Sequence, residues 1–205
     1  MKVTRLRSKE PDVYVQLKTQ KEEDQKRNRH TFLTVISCIR VLARQGLALR
    51  GHTEEEGNRH QLIKDRAEDD KNIYNWLQNG TYMSHDSVNE ILKIMSHSNL
   101  RNLIAEIKEA GYYSVLADET RDISNKEQLV ICIRWVDSQY LVYEEPIGIF
   151  NIPQTDSATI VAAIKDVLLR CSLPIEKCRG QGYDGAFNMM GRLNGVAANI
   201  KKEEP

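Results

Sequence analysis

A short apolar segment that ends on a carboxylate, Tyr112 to Asp118, limits the fold of this chain more than any other stretch. Its side chains do not alternate between polar and apolar, which is typical of a strand buried on both faces. An ionised carboxylate at the end of such a strand is unfavourable unless a cation meets it. The function of the chain therefore depends on what Asp118 faces.

The residues before this segment divide into a charged part and a periodic part. Residues 1–30 are dense in charge with little apolar periodicity, which predicts a solvated, disordered arm. From residue 31 to residue 110 the apolar residues recur at helical spacing, so we expect a helical region at 31–110. Its stripes run from Phe32 to Ala43, from Leu62 to Leu77 and from Val88 to Ile107, with a kink expected at Asn99.

After Gly111 the pattern changes to strands, and residues 111–205 are expected to form a separate core. The predicted elements are strands at Tyr112–Asp118, Leu129–Val136 and Tyr140–Phe150, a helix at Thr155–Arg170, a strand at Lys177–Asp184 and a helix at Asn188–Lys201. Pro146 and Gly148 indicate that the third strand is an edge or carries a bulge. The predicted fold class is α+β, with a three-stranded antiparallel meander, a crossover helix and a parallel fourth strand.

The crossover brings two distant carboxylates to one end of the sheet. A 16-residue helix spans about 24 Å and a seven-residue strand about 23 Å, so the fourth strand can start level with the first. Asp118 and Asp184 would then end adjacent parallel strands. The alternative is that both are helix caps or turn residues, as most loop aspartates are.

Two carboxylates held close together repel unless a cation lies between them. Their hard oxygens suit Mg²⁺ or Mn²⁺, and a pair of such ions can promote phosphodiester displacement. The sequence thus predicts Asp118 and Asp184 as metal-binding and catalytic residues. No third acid stands out, because Glu119 points to the opposite face of a continuing strand.

A second motif, Gly180-Gln181-Gly182-Tyr183-Asp184-Gly185, matches the dinucleotide-binding fingerprint G-x-G-x-x-G. The strand before it is poor, and Asp184 would place negative charge where a pyrophosphate must bind. We interpret the match as accidental and the glycines as a turn that lets backbone approach a neighbouring strand.

Composition excludes several classes of partner. The chain has 29 Lys and Arg against 29 Asp and Glu, so any DNA contact must be a local patch rather than a global field. The apolar runs are too short to cross a bilayer, and the N-terminus lacks the apolar core of a signal peptide, so we expect an intracellular protein without a membrane partner. No Cys-x-x-Cys pair is present, which argues against a structural zinc.

Three ordered motifs resemble a known family. They are LADETRDISN at Leu116–Asn125, EEPIG at Glu144–Gly148 and QGYDGAFNMMG at Gln181–Gly191, and the chain resembles the hAT-type transposase-derived proteins, in particular zinc-finger MYM-type 1-like proteins. The resemblance implies a nuclear protein with an RNase H-like core that cuts and joins DNA with Mg²⁺ or Mn²⁺. It also implies that Asp118 and Asp184 are the first two acids of an Asp-Asp-Glu triad. This chain departs from the family pattern at Arg121, where the family usually has Thr.

The segments that follow in the family, including the third acid, are absent from this sequence. We therefore expect a fragment of a transposase core that is inactive alone. The alternative is a co-opted module without enzymatic activity, which binds protein partners through the exposed edge of the fourth strand. A third hypothesis is a nuclease that takes its missing acid from another chain.

Overall fold

The computed structural model describes residues 13–80 and 82–203, which form an α+β arrangement and confirm the predicted fold class. In chain order the elements are helices α1 (Val13–Arg44), α2 (Asn58–Ala67), α3 (Lys71–Asn79) and α4 (His85–Ala110), strands β1 (Tyr113–Arg121), β2 (Glu127–Val136) and β3 (Val142–Asn151), helix α5 (Ser157–Arg170), a 3₁₀ turn (Ile175–Lys177), strand β4 (Cys178–Tyr183) and helices α6 (Phe187–Met190) and α7 (Val196–Glu203). None of the helices in these two ranges is long and apolar enough to cross a membrane.

The chain forms two compact units. The helical unit comprises the described residues through Met95, and the sheet unit begins at Ser96. The boundary therefore lies within α4, whereas the sequence pattern placed it between residues 110 and 111. Periodicity reports where helices give way to strands, but a long helix can belong to two units.

Residues 13–30 correct the prediction of a disordered arm, because they form the first half of the 32-residue helix α1. Their side chains are almost all exposed, as the charge density indicated. Pairs one turn apart stabilise such a solvated helix, and here Gln20 and Arg27 both donate to Asp24. Residues 1–12 of the predicted arm lie outside the described residues.

The ends of the helices follow from single residues. Gly46, two residues after the end of α1, and Gly80, directly after α3, both take a left-handed φ of 64°. The helix predicted from Leu62 to Leu77 is in fact two, because Asp70 interrupts it and accepts the backbone N–H of Asn72 at 2.8 Å to begin α3. Helix α4 is continuous through Asn99 and joins the two halves of the apolar stripe in a single helix.

The helical unit has its own apolar core. It is built from α1, α2, α3 and the start of α4, and its fully buried side chains are Val35, Ile39 and Ile63. Arg59 is also buried, with 3% of its surface exposed. Its guanidinium donates to the Met83 carbonyl at 2.7 Å and pairs with Glu54, so the buried charge is compensated.

The sheet unit is organised around four strands in the order β3-β2-β1-β4. β1, β2 and β3 pair antiparallel, and β4 pairs parallel to β1, which confirms the predicted meander and crossover. β3 is an edge strand whose register shifts opposite Ile131 and Cys132, where Gly148 and Pro146 lie. The bulge predicted from these two residues is therefore confirmed.

One face of the sheet carries the main core. Alternate residues of β1 (Tyr113, Val115 and Ala117) are buried there together with the apolar side of α5. Asp156 begins α5 by accepting the Thr159 N–H at 3.0 Å. Because side chains alternate along a strand, the next residue of this buried row is Glu119, and Asp118 lies on the other face.

The last predicted helix, Asn188–Lys201, is divided into α6 and α7. Gly195 donates its N–H to the Gly191 carbonyl at 2.8 Å, so the two backbones touch between the helices. A Cβ on Gly195 would lie 2.7 Å from that same oxygen and 2.8 Å from the Met189 carbonyl. Only glycine allows this approach, and the chain turns sharply instead of continuing as one helix.

Candidate functional site

The parallel pairing of β1 and β4 brings the two predicted aspartates to neighbouring positions. The register runs from Ser114 opposite Gly180 to Ala117 opposite Tyr183. The next residue along β1 is Asp118, and the next along the other chain segment is Asp184. Both side chains are exposed to solvent. Two residues 66 positions apart in the sequence thus directly follow the last paired positions of the parallel strands, at the same end of the sheet.

The two aspartates differ in their local backbone. The sequence predicted that Asp118 is the last residue of the first strand. β1 instead continues to Arg121, so Asp118 lies within the strand. β4 ends at Tyr183, and Asp184 begins the turn into α6. One oxygen of Asp184 accepts the Ala186 N–H at 3.1 Å, which is the turn role that the alternative interpretation assigned to it.

Contacts between β1 and β4 indicate which face the acids share. A Cβ on Gly180 would lie 2.7 Å from the Ser114 hydroxyl oxygen, and one on Gly182 would lie 3.4 Å from the Leu116 side chain. These alternate positions therefore lie on the same face, and Asp118 continues the row of Ser114 and Leu116. This face lies opposite the buried core.

The same glycines exclude the dinucleotide-binding interpretation of the G-x-G-x-x-G match. That fingerprint places its glycines in the turn between a strand and a helix. Gly180 and Gly182 lie inside β4 instead. The close approach of backbone to a neighbouring strand that we inferred from the sequence is present, but it occurs within the sheet and not in a turn.

A polar bridge holds the turn that carries Asp184. The amide nitrogen of Asn188 donates to a Glu119 carboxylate oxygen at 2.5 Å and to the Thr155 carbonyl at 2.8 Å. It thereby ties α6 to β1 and to the loop before α5. The residue after it, Met189, is fully buried. The segment after Asp184 is thus fixed by both packing and hydrogen bonds.

Glu119 lies in the electrostatic field of both aspartates. Burial raises the pKa of its carboxyl above the usual value, and the Asn188 amide opposes that rise by bonding the ionised form. The negative charge of Asp184, followed by those of Glu127 and Asp118, raises this pKa further. Negative charge is therefore concentrated around the ends of β1 and β4, and such a concentration stabilises a bound cation.

Arg121, which departs from the family pattern, does not neutralise these acids. Its guanidinium pairs with Glu127, the residue directly opposite it on β2. Arg121 also belongs to the row of β1 that includes Glu119, not to the row of Asp118. Its charge is therefore engaged beside the candidate site.

The donor set for a metal ion consists of two carboxylates. Within residues 13–80 and 82–203, no group of three His, Cys, Asp or Glu side chains is placed to hold a metal ion. Magnesium is commonly bound through one or two carboxylates, with water and phosphate oxygens in the remaining positions. The chemistry of Asp118 and Asp184 fits that pattern.

Sequence reasoning missed the bridge from Asn188 and the exposed aromatic beside it. Asn188 contacts Glu119 across 69 residues, and no local pattern of polar and apolar residues signals such a contact. Phe187 has 90% of its surface exposed, which its position in an apolar stretch did not suggest. The sequence offers one indication of this arrangement, the polar Asn188 between the large apolar residues Phe187 and Met189.

Comparison with known proteins agrees with the motifs. The human protein "52 kDa repressor of the inhibitor of the protein kinase" is 21% identical over 197 residues, which cover 89% of this chain and 26% of that protein. Its mouse counterpart matches with the same identity and coverage. The chain thus spans about a quarter of the length of these curated relatives. A family model described as "ZMYM1/FAM200, RNase-like domain" matches residues 1–195. The chain therefore belongs to the transposase-derived ZMYM1/FAM200 family, as its RNase-like domain.

Proposed function

We propose that this RNase-like domain binds a divalent cation, Mg²⁺ or Mn²⁺, between Asp118 and Asp184 and does not cut DNA on its own. The proposal is supported by the parallel register of β1 and β4, whose last pair, Ala117 opposite Tyr183, directly precedes both aspartates. From the family resemblance we extend the proposal to a nuclear protein whose partner is DNA.

The residues at this end of β1 and β4 would have separate roles in cation binding. Asp118 of β1 and Asp184 in the turn after β4 would supply the oxygen ligands, and the Ala186 N–H orients one oxygen of Asp184. Asn188 holds the following turn against Glu119 and Thr155. A divalent ion bound there would polarise a phosphoryl oxygen of a DNA backbone.

Inactivity follows from the number of ligands. Phosphodiester displacement with two ions requires carboxylates that clamp both metals, about 3.5–4 Å apart. Two aspartates provide one shared position, and Glu119, which follows Asp118 in the chain, is engaged by Asn188 on the other row of β1. We therefore expect cation binding without strand cleavage.

Calorimetric titration with Mn²⁺ tests the binding site. The wild type should bind about one Mn²⁺ ion per protein chain. Asp118→Asn and Asp184→Asn should each abolish this binding. Asp137→Asn is the matched control, because Asp137 accepts backbone N–H groups in the turn at the opposite end of the sheet. Unchanged Mn²⁺ binding in both site variants would refute the proposed site.

Nicking of supercoiled DNA tests the expected inactivity. Wild type and Asp118→Asn should nick the plasmid equally slowly in Mg²⁺. Robust nicking by the wild type that Asp118→Asn removes would show that the domain is a nuclease and would overturn this part of the proposal. A size measurement in the same sample would then show whether a second chain supplies the missing acid.

The second candidate function is a protein-interaction module, and the exposed edge of β4 favours it. In the described part of the chain, β4 pairs with β1 alone. A groove of about 380 Å³ lies beside it, lined by the strand and by Ala197, Ile200 and Lys201 of α7. An extended peptide could add to this edge as a fifth strand. A monomer by light scattering that captures no partner in a pull-down would argue against this function.

A further inference from the structure

Three large apolar side chains are exposed immediately after the candidate metal site. Phe187 is 90% exposed, Leu193 71% and Met190 54%. Single exposed apolar residues are ordinary on protein surfaces, but three within seven residues of chain are a local concentration of apolar surface, which indicates a binding surface. We call Phe187, Met190 and Leu193 the apolar patch.

The exposure of the patch is imposed by its neighbours. Asn188 is anchored to Glu119 and Thr155, and Met189 is fully buried in the core of the sheet unit. These two residues fix the rotation of α6, so Phe187 and Met190 on either side of them project into solvent. The aromatic ring is thus presented on a rigid turn.

The patch lies close to the two aspartates. Phe187 follows Asp184 by three residues, and three residues of chain span at most about 11 Å even when fully extended. A phosphate held at the metal site would therefore have its own or a neighbouring base within reach of the ring.

The chain segment that carries the patch is basic, in contrast to the acidic side chains of Asp118, Glu119 and Asp184 nearby. Residues 185–202 contain Arg192, Lys201 and Lys202 and no acidic residue, in a chain with equal numbers of acids and bases. Arg192 is exposed between Met190 and Leu193. The Lys202 ammonium donates to the Leu193 carbonyl at 2.8 Å, which holds a cation against the patch. An anionic partner with flat apolar faces matches this surface.

We propose that the apolar patch stacks an unpaired base of single-stranded DNA, with Phe187 as the platform and Arg192 and Lys202 contacting the backbone. Aromatic rings bordered by cations are the usual means of holding single strands without sequence preference. The inference deepens the proposed function, because the stacked nucleotide would belong to the strand whose phosphate reaches Asp118 and Asp184.

Fluorescence anisotropy with the whole 205-residue chain in Ca²⁺ tests the stacking. The probes are a labelled oligothymidine and an oligonucleotide of the same length made of abasic sites. Phe187→Ala should weaken binding of oligothymidine about 5- to 150-fold, and binding of the abasic strand should not change. Phe187→Trp should retain the affinity of the wild type.

The matched control is Tyr140→Ala. Tyr140 is 87% exposed, like Phe187, but it lies in the β2–β3 turn at the opposite end of the sheet. This variant should bind both probes like the wild type. Far-UV circular dichroism of all variants should be unchanged, because the substituted side chains make little buried contact.

Two results would overturn the inference. One is equal binding of oligothymidine by wild type and Phe187→Ala. The other is a loss that is the same for the abasic strand, which would mean that the ring does not contact a base. If Phe187→Ala instead dissolves a dimer seen by light scattering without changing DNA affinity, the patch is a protein interface and the proposal is wrong.

The outcome is separable from that of the metal site. Mn²⁺ titration requires no DNA, and Phe187→Ala should leave it unchanged. If Phe187→Ala binds oligothymidine like the wild type while Asp118→Asn and Asp184→Asn lose Mn²⁺ binding, only the platform is refuted. If Phe187→Ala weakens oligothymidine binding as expected while Asp118→Asn and Asp184→Asn bind Mn²⁺ like the wild type, only the metal site is refuted.

Discussion

Removal of the Asn188 amide should loosen the segment that carries Asp184. One amide nitrogen makes both bonds of the bridge, to the Glu119 carboxylate at 2.5 Å and to the Thr155 carbonyl at 2.8 Å. A hydrogen bond to a charged group contributes about 1.5–3 kcal/mol and a neutral one about 0.5–1.5 kcal/mol. Because Asn188 is only half-buried, we expect Asn188→Ala to cost about 2–3 kcal/mol of unfolding free energy.

A double-mutant cycle isolates the bond between Asn188 and Glu119. Glu119→Ala loses the same bond but also relieves the repulsion from Asp184 and Asp118, so it should cost less than Asn188→Ala. The double variant should be less destabilised than the sum of the two single variants by about 1.5 kcal/mol, within the usual range for residues in contact.

Urea unfolding followed by fluorescence provides the measurement. Trp135 is buried on β2 in the sheet unit, and a Trp76→Phe background removes the signal of the other tryptophan. Asn199→Ala is the control, because the Asn199 amide donates to a solvent-exposed carbonyl, that of Asn194. It should cost less than about 0.5 kcal/mol. Additive effects of Asn188→Ala and Glu119→Ala would refute the bridge.

Three further predictions follow from packing and capping. Gly195→Ala should lower the free energy of unfolding by about 1–3 kcal/mol, because the backbone atoms around the new Cβ cannot move away. Gly185→Ala should leave the free energy of unfolding in urea unchanged, because nothing lies within 4 Å of its Cβ position. Ile164→Ala on α5 should lower the free energy of unfolding by about 2–5 kcal/mol in the same assay, because this side chain is fully buried. A cost below about 1 kcal/mol, half the usual lower limit of about 2 kcal/mol, would contradict the assigned core. The Thr159 hydroxyl and N–H lower the pKa of Asp156, so its stabilising contribution is present above the unfolded pKa of about 3.9 and is lost as pH falls through the folded value. The stability gap between wild type and Asp156→Ala should therefore narrow in acid, and a gap independent of pH between 6 and 3 (roughly the range that brackets this transition) would refute the cap.

The sheet unit could be predicted from its sequence because several signals agreed there. β-branched runs marked the strands, Pro146 and Gly148 marked the bulged edge, and an apolar stripe marked α5. The equal lengths of strand and crossover then fixed the parallel return of β4. Each local preference supported the same arrangement, which is the condition for reading a fold from a sequence.

The helices were predicted less well because their limits depend on competing effects. Charge density in residues 13–30 indicated disorder, yet such residues are good helix formers and one-turn ion pairs are available. Asp70 interrupted a stripe whose apolar residues kept their period on both sides. The break between α6 and α7 required a contact between two glycine backbones, which periodicity does not report.

At the candidate site, the sequence located the carboxylates but not their support. Asp118 and Asp184 followed from the order of strands and the crossover rule. The bridge through Asn188 depends on a long-range contact, and the exposure of Phe187 depends on how that bridge rotates α6. Neither can be inferred from neighbours in the chain.

Anomalous diffraction from crystals soaked in Mn²⁺ tests the central claim most directly, because it locates the ion itself. The account predicts an anomalous peak bonded to carboxylate oxygens of both Asp118 and Asp184, at about 2.0–2.2 Å from each, the distance usual for hard divalent ions. A peak that contacts only one of the two aspartates, or a crystal in which this edge of the sheet binds no Mn²⁺, would contradict it.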